Sequence, residues 1–127
     1  MKRLRTTQIN LYNCHSDIIF SKEEVNLFLE RLVDFIGMRV IPEKMIENKN
    51  PHSFEFIPKE LNLPDIEAGI TGAVILFESH SCAHIWSETR FVCVVITSCK
   101  DYSPDDVANY CQSYLSAGDL KVSTMYL

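Results

Sequence analysis

The chain has 127 residues, about half of them apolar, and a net charge of −5. That length supports one domain with a real core, and the composition excludes a disordered or fibrous chain. The acidic balance argues against a nucleic-acid partner, which selects a basic face, and is compatible with a cationic small molecule.

The first residues, 1–5, are basic. Thr6-Thr7-Gln8 then follows where a signal peptide needs an apolar run, so no targeting segment is expected. Residues 8–13 read as a strand, because Ile9 and Leu11 alternate with Gln8 and Asn10. Ser21 is an N-cap candidate and Glu24, three residues on, completes a capping box. The helix it opens runs to about Ile36, with Val25, Phe28, Leu29, Leu32, Val33 and Ile36 on one face, and Gly37 closes it. Residues 38–41 begin a second strand.

Residues 47–69 hold Pro51, Pro58 and Pro64 and read as a long loop, with a short extended piece at 54–57. A loop of that length in a small domain is usually functional or interfacial. Residues 72–77 and 91–98 are apolar strands. The longest apolar stretch, 91–96, is far too short to span a bilayer, so no membrane partner is expected. Ser103 caps a second helix, with Pro104 in its first turn and Asp105 and Asp106 at its positive end. Val107, Tyr110, Cys111 and Leu115 give its apolar face and Gly118 its end. Residues 121–126 are a last strand.

The order β-α-β, loop, β-β-α-β predicts an α+β two-layer sandwich: a mainly antiparallel sheet with helices on one face. The other sheet face then needs a cover. A second copy is the natural one in so small a protein, giving a homodimer and a larger sandwich. The five cysteines, Cys14, Cys82, Cys93, Cys99 and Cys111, are odd in number and show no disulfide framework. They fit reduced thiols in the cytoplasm.

The chemistry concentrates between the two apolar strands. Residues 78–88 offer a hydroxyl (Ser79), two imidazoles (His80, His84), a thiol (Cys82) and two carboxylates (Glu78, Glu88), and Cys99 ends the next strand. Hydroxyl, imidazole and thiol at strand ends suit nucleophilic or acid–base work. Each residue alone has an ordinary structural reading: Ser79 a turn residue, a strand histidine a hydrogen-bonded one, Trp86 and Cys99 core filling. His80, Cys82 and His84 alternate and would share a strand face, as zinc ligands could. Their spacing matches no standard zinc pattern and no fourth ligand is evident, so no metal is expected.

Gly69-Ile70-Thr71-Gly72, the apolar run to Phe77, Glu78-Ser79-His80, His84-Ile85-Trp86-Ser87-Glu88 and Thr97-Ser98-Cys99 carry a stronger pattern. Together they resemble the bacterial and archaeal S-adenosylmethionine decarboxylase proenzymes. That family reads Gly-Val-Ser-Gly, an apolar run, Glu-Ser-His, His-Thr-Trp-Pro-Glu and Thr-Cys-Gly-Asp. The intervals from Ser79 to His84 and to Cys99 match without a gap, and Leu11-Tyr12-Asn13-Cys14 resembles the family's Leu-Tyr-Gly-Cys. The resemblance covers most of the chain and implies that residues 1–127 are a single domain of that kind.

The resemblance implies a pyruvoyl-dependent carboxy-lyase that makes its own cofactor. Ser79 attacks the carbonyl of Glu78, the chain divides into 1–78 and 79–127, and Ser79 becomes a pyruvoyl group that forms a Schiff base with the substrate amine. It makes His84 the processing base, Thr71 a supporting hydroxyl and Cys99 the proton donor. Trp86 and Glu88 become candidates for adenine and ribose. The implied reaction removes carbon dioxide from S-adenosylmethionine for spermidine and polyamine synthesis. Ser87 stands where the family has Pro, Lys100 where it has Gly, and the loop before Gly69 is longer, with Phe54 or Phe56 as its aromatic. These departures touch the pocket rather than the processing residues. They keep two alternatives open: an arginine or ornithine decarboxylase on the same cofactor, and a non-cleaving, non-catalytic relative.

Overall fold

The computed structural model describes residues 4–15, 21–63 and 67–126. The extreme N-terminal residues 1–3 and Pro64 lie outside them. Alternation builds the sheet. In β1 (Arg5–Cys14) Thr7, Ile9 and Leu11 are buried while Gln8 is exposed and Asn10 half-buried. β3 (Gly69–Leu76) buries Ile70, Gly72, Val74 and Leu76 and turns Ala73 and Ile75 outward. β5 (Phe91–Ser98) buries Val92, Val94, Ile96 and Ser98 on the same side.

Between β3 and β5 the polar cluster is itself a strand, β4 (Ser79–Trp86). The sequence reading leaves this stretch as a connection, because its polar residues mask the alternation. Ser81, Ala83 and Ile85 point to the core, and His80, Cys82, His84 and Trp86 occupy the opposite face. β2 (His52–Phe56) and β6 (Ala117–Tyr126) complete a six-stranded sheet among the described residues, in the order β2-β3-β4-β5-β1-β6. Every pairing is antiparallel.

Helix α1 (Lys22–Phe35) carries the expected cap: Ser21 Oγ accepts the Glu24 N–H at 3.2 Å. It ends in a Schellman turn at Gly37, φ +72, where Gly37 N–H donates to Asp34 O and Met38 N–H to Val33 O. A short α2 (Pro58–Leu61) follows β2. Helix α3 (Pro104–Leu115) starts at Ser103 as expected, but Ser116 in the left-handed region ends it, and Gly118 belongs to β6. α1 packs on β3, β2 and β4, α3 packs on β6 and β1, and the two helices touch. The buried sheet side chains Ile9, Val74, Ala83 and Val94 share one face, the one that α1 and α3 cover, as expected.

The core between helices and sheet is aliphatic: Leu29, Leu32, Val74, Val94, Ile96 and Ile9 are essentially inaccessible. Each such side chain contributes about 1.5–3 kcal/mol by leaving water. Residues 38–41 do not form a strand; they give a single bridge, Val40 to Leu76. The Asn50 side chain extends this edge, donating to Ile75 O at 2.7 Å and to Ile41 O at 3.0 Å while accepting from Ile75 N–H at 2.8 Å. These bonds hold the end of β3, and with it the turn that leads into β4.

Candidate active site

Leu76 pairs with Ser79, so Phe77 and Glu78 are the two loop residues of the β3–β4 hairpin. Glu78 has φ +63, a left-handed conformation that its Cβ disfavours. Such a residue holds strain of order 1–3 kcal/mol, here next to the Glu78–Ser79 peptide bond.

Cross-strand register assembles the surroundings of that bond. Ser79 sits opposite Ser98, and its hydroxyl donates to Ser98 Oγ at 2.8 Å. Cys99, one residue past β5, lies beside Glu78: its thiol approaches Glu78 Oε2 at 3.4 Å and Glu78 O at 3.8 Å. Glu78, Ser79, Ser98 and Cys99 thus form one cluster. A cavity of about 430 Å³ opens beside it, lined by Ser79 and Phe77 with Arg39 and Lys100.

His84 and Thr71 form a second cluster. They are cross-strand partners on the face turned away from the helices, and Thr71 Oγ1 lies 3.1 Å from His84 Nδ1. The other ring nitrogen, Nε2, is 3.8 Å from Cys82 Sγ. Burial pushes the Cys82 thiol up, which keeps it protonated and able to donate. Trp86 continues this face, 6.1 Å from His84 and 5.1 Å from Phe91 between ring centroids. Phe54 stands opposite Thr71, and half its surface is exposed.

The two clusters do not meet within one chain. Ser79 and His84 are five residues apart on one strand, which places them on opposite faces and roughly 16 Å apart along it. Glu88 is at neither cluster; it lines a cleft of about 670 Å³ with Ile57, Lys59, Leu63 and Glu67. His80 is exposed, and among the described residues no three His, Cys, Asp or Glu side chains are grouped to hold a metal. Ser98 is not singled out by sequence patterning, because only the β4–β5 register reveals what it faces.

A family model described as S-adenosylmethionine decarboxylase matches residues 5–126, nearly the whole chain. The chain belongs to the S-adenosylmethionine decarboxylase family. It is similar to the S-adenosylmethionine decarboxylase proenzyme of Syntrophomonas wolfei subsp. wolfei, 38% identical over 56 residues that cover 43% of this chain and 44% of that protein. It is also similar to the proenzyme of the same description from Acidithiobacillus ferrooxidans (strain ATCC 53993), 41% identical over 58 residues covering 45% of this chain and 42% of the relative. These matches span less than half the length of either curated relative. The crystal structure of the adenosylmethionine decarboxylase from Aquifex aeolicus VF5 superposes with a TM-score of 0.73 at 23% identity, over 98% of this chain and 89% of that one. This likeness is one of fold: the antiparallel sheet with its helices on one side. Among the described residues no helix is long and apolar enough to cross a membrane.

Proposed function

We propose that the chain is a self-processing, pyruvoyl-dependent decarboxylase acting on S-adenosylmethionine, with its product destined for spermidine synthesis. The observation that carries this reading is the geometry at residues 78–79. A left-handed, strained Glu78 precedes a serine whose hydroxyl is held by Ser98, and Cys99 approaches the Glu78 carbonyl. Family membership over residues 5–126 and the proenzyme relatives support the substrate.

The chain's own residues perform the cleavage. Ser79 Oγ adds to the Glu78 carbonyl carbon, the peptide C–N bond breaks, and an ester remains while the left-handed turn is released. His84 then takes the proton from the Ser79 α-carbon, so that elimination frees the Glu78 carboxylate and leaves dehydroalanine at residue 79, which takes up water and loses its nitrogen as ammonia to give the pyruvoyl group; Thr71, hydrogen-bonded to Nδ1, orients the ring. Because His84 lies roughly 16 Å along β4 from its own Ser79, this step calls for His84 of a second copy. A homodimer built on the bare sheet face, where Ile75 is half-exposed, supplies it.

Residue 79 fits the cofactor, since a serine hydroxyl held beside a strained preceding carbonyl is what its formation requires. The pyruvoyl group supplies an electron sink for loss of carbon dioxide. Cys99, whose Sγ lies 3.4 Å from Glu78 Oε2 beside the cleavage point, is the donor that returns a proton to the substrate carbon. Trp86 offers an aromatic face for adenine. Glu88, in the cleft it lines with Ile57 and Lys59, offers a carboxylate for the ribose hydroxyls. The partners proposed are this small molecule and a second copy, with neither nucleic acid nor membrane. All five thiols are free, which suits the cytoplasm.

Mass spectrometry of the purified protein tests the first half. Two fragments are expected, 1–78 and 79–127, the second with a pyruvoyl N-terminus; an intact chain that never divides would sink the reading. Carbon dioxide release from S-adenosylmethionine, arginine and ornithine side by side tests the second. Release from the plain amino acids alone would overturn the substrate and leave the cleavage standing.

A further inference from the structure

The attacking hydroxyl has a partner that the proposed chemistry does not yet use. Ser98 is fully buried on the helix-facing side of β5, where Val92, Val94 and Ile96 precede it. A hydroxyl buried at the end of an apolar row is costly unless it is bonded. Here its oxygen accepts two donors, Ser79 Oγ–H at 2.8 Å and the Lys100 backbone N–H at 2.9 Å. The second bond fixes Ser98, and a fixed Ser98 fixes Ser79.

We propose that Ser98 is a positioning residue for self-cleavage: its oxygen takes the Ser79 hydroxyl hydrogen and so aims a Ser79 lone pair at the Glu78 carbonyl carbon. This rests on the reading that the chain cuts itself at Glu78–Ser79. A serine side chain has three staggered rotamers, and the hydrogen bond selects among them. It also keeps the Ser79 proton turned away from the carbonyl under attack. In the step itself the Oγ–C bond forms and the C–N bond breaks. The Oγ proton ends on the Ser79 nitrogen as the free amine, Ser98 is unchanged, and no other reactant is consumed. Aim of this kind is worth roughly 100-fold for an ångström of misplacement.

The test uses the full chain, synthesised in a short pulse and followed by mass spectrometry as intact chain becomes 1–78 and 79–127. Ser98→Ala is expected to divide roughly 10- to 100-fold more slowly than the wild type. Ser98→Thr, which restores the hydroxyl, is expected to recover most of the rate. Hydroxylamine, which cuts an ester but not an amide, adds a readout that a purely structural role would not move. It should divide a His84→Ala chain, which stops at the ester, and leave Ser98→Ala largely intact over the same time, because there the ester forms slowly and does not accumulate. Wild-type rates for Ser98→Ala, equal slowness of Ser98→Thr, or ready hydroxylamine cutting of Ser98→Ala would each overturn the role of Ser98. A wild-type chain that never divides would instead remove the self-cleavage reading and this inference with it.

Discussion

At the scale of single residues, the environment of each thiol separates its possible roles. Cys99 stands beside Glu78 at the strand end, half-exposed, where a proton can reach a bound molecule. Cys99→Ser is therefore expected to divide at the normal rate yet decarboxylate poorly, by roughly 100-fold or more in kcat, the range that general acids supply. Equal turnover would remove Cys99 from the reaction. Cys14 and Cys111 are the opposite case. Burial pushes the Cys14 thiol up to about 11, against an opposing pull from Arg90, and the Cys111 thiol up to about 12. In the unfolded chain both ionise near the ordinary 9.0. Their raised values in the fold mean that their stabilising effect is whole below about pH 9 and drains away as pH rises toward 12. Denaturant unfolding at pH 8 and pH 10.5 is expected to show the loss, and Cys111→Ala should flatten it.

At the scale of elements, the site depends on how closely α1 lies on β3. Gly72 permits that approach: a Cβ there would stand 2.5 Å from Ser53 Oγ and 2.8 Å from Val25 Cγ1. Gly72→Ala must push α1 or β2 away, at a cost of about 1–3 kcal/mol. Calorimetry should register this as a drop in Tm, and the time course of cleavage should slow as the β3–β4 hairpin shifts. The hairpin itself is pinned from its other side by Asn50 and the Val40 bridge. Its left-handed Glu78 is therefore held by tertiary contacts rather than by its own preference.

At the scale of the whole molecule, the separation of Ser79 and His84 gives the proposed dimer a functional consequence. A Ser79→Ala chain keeps His84 but cannot divide, and a His84→Ala chain keeps Ser79 but lacks its base. Each alone is expected to stay intact as pyruvoyl precursor. Expressed together, the His84→Ala chain should be cut within the mixed dimer, giving a pyruvoyl-blocked 79–127 fragment by mass spectrometry. No such fragment from the mixture would show that His84 does not serve a partner.

The sequence by itself determined the two long helices, α1 and α3, their N-caps and their buried faces, but left α2 inside a loop. Those signals are local: Ser21 with Glu24, Ser103 with Pro104, and apolar residues at helical spacing. It also determined family membership, since the Glu-Ser-His, His84 and Cys99 pattern is linear and the family model matches residues 5–126. It left β4 as a connection, because polar residues on an uncovered face hide a strand's period. It placed the end of α3 at Gly118, two residues past the left-handed Ser116 that closes it. Only the tertiary structure decided that Ser98 faces Ser79, that Cys99 reaches Glu78 and that His84 lies on the opposite side. Those facts follow from antiparallel register, and register is fixed by which face of each strand is buried against α1 and α3 rather than by any residue's own preference.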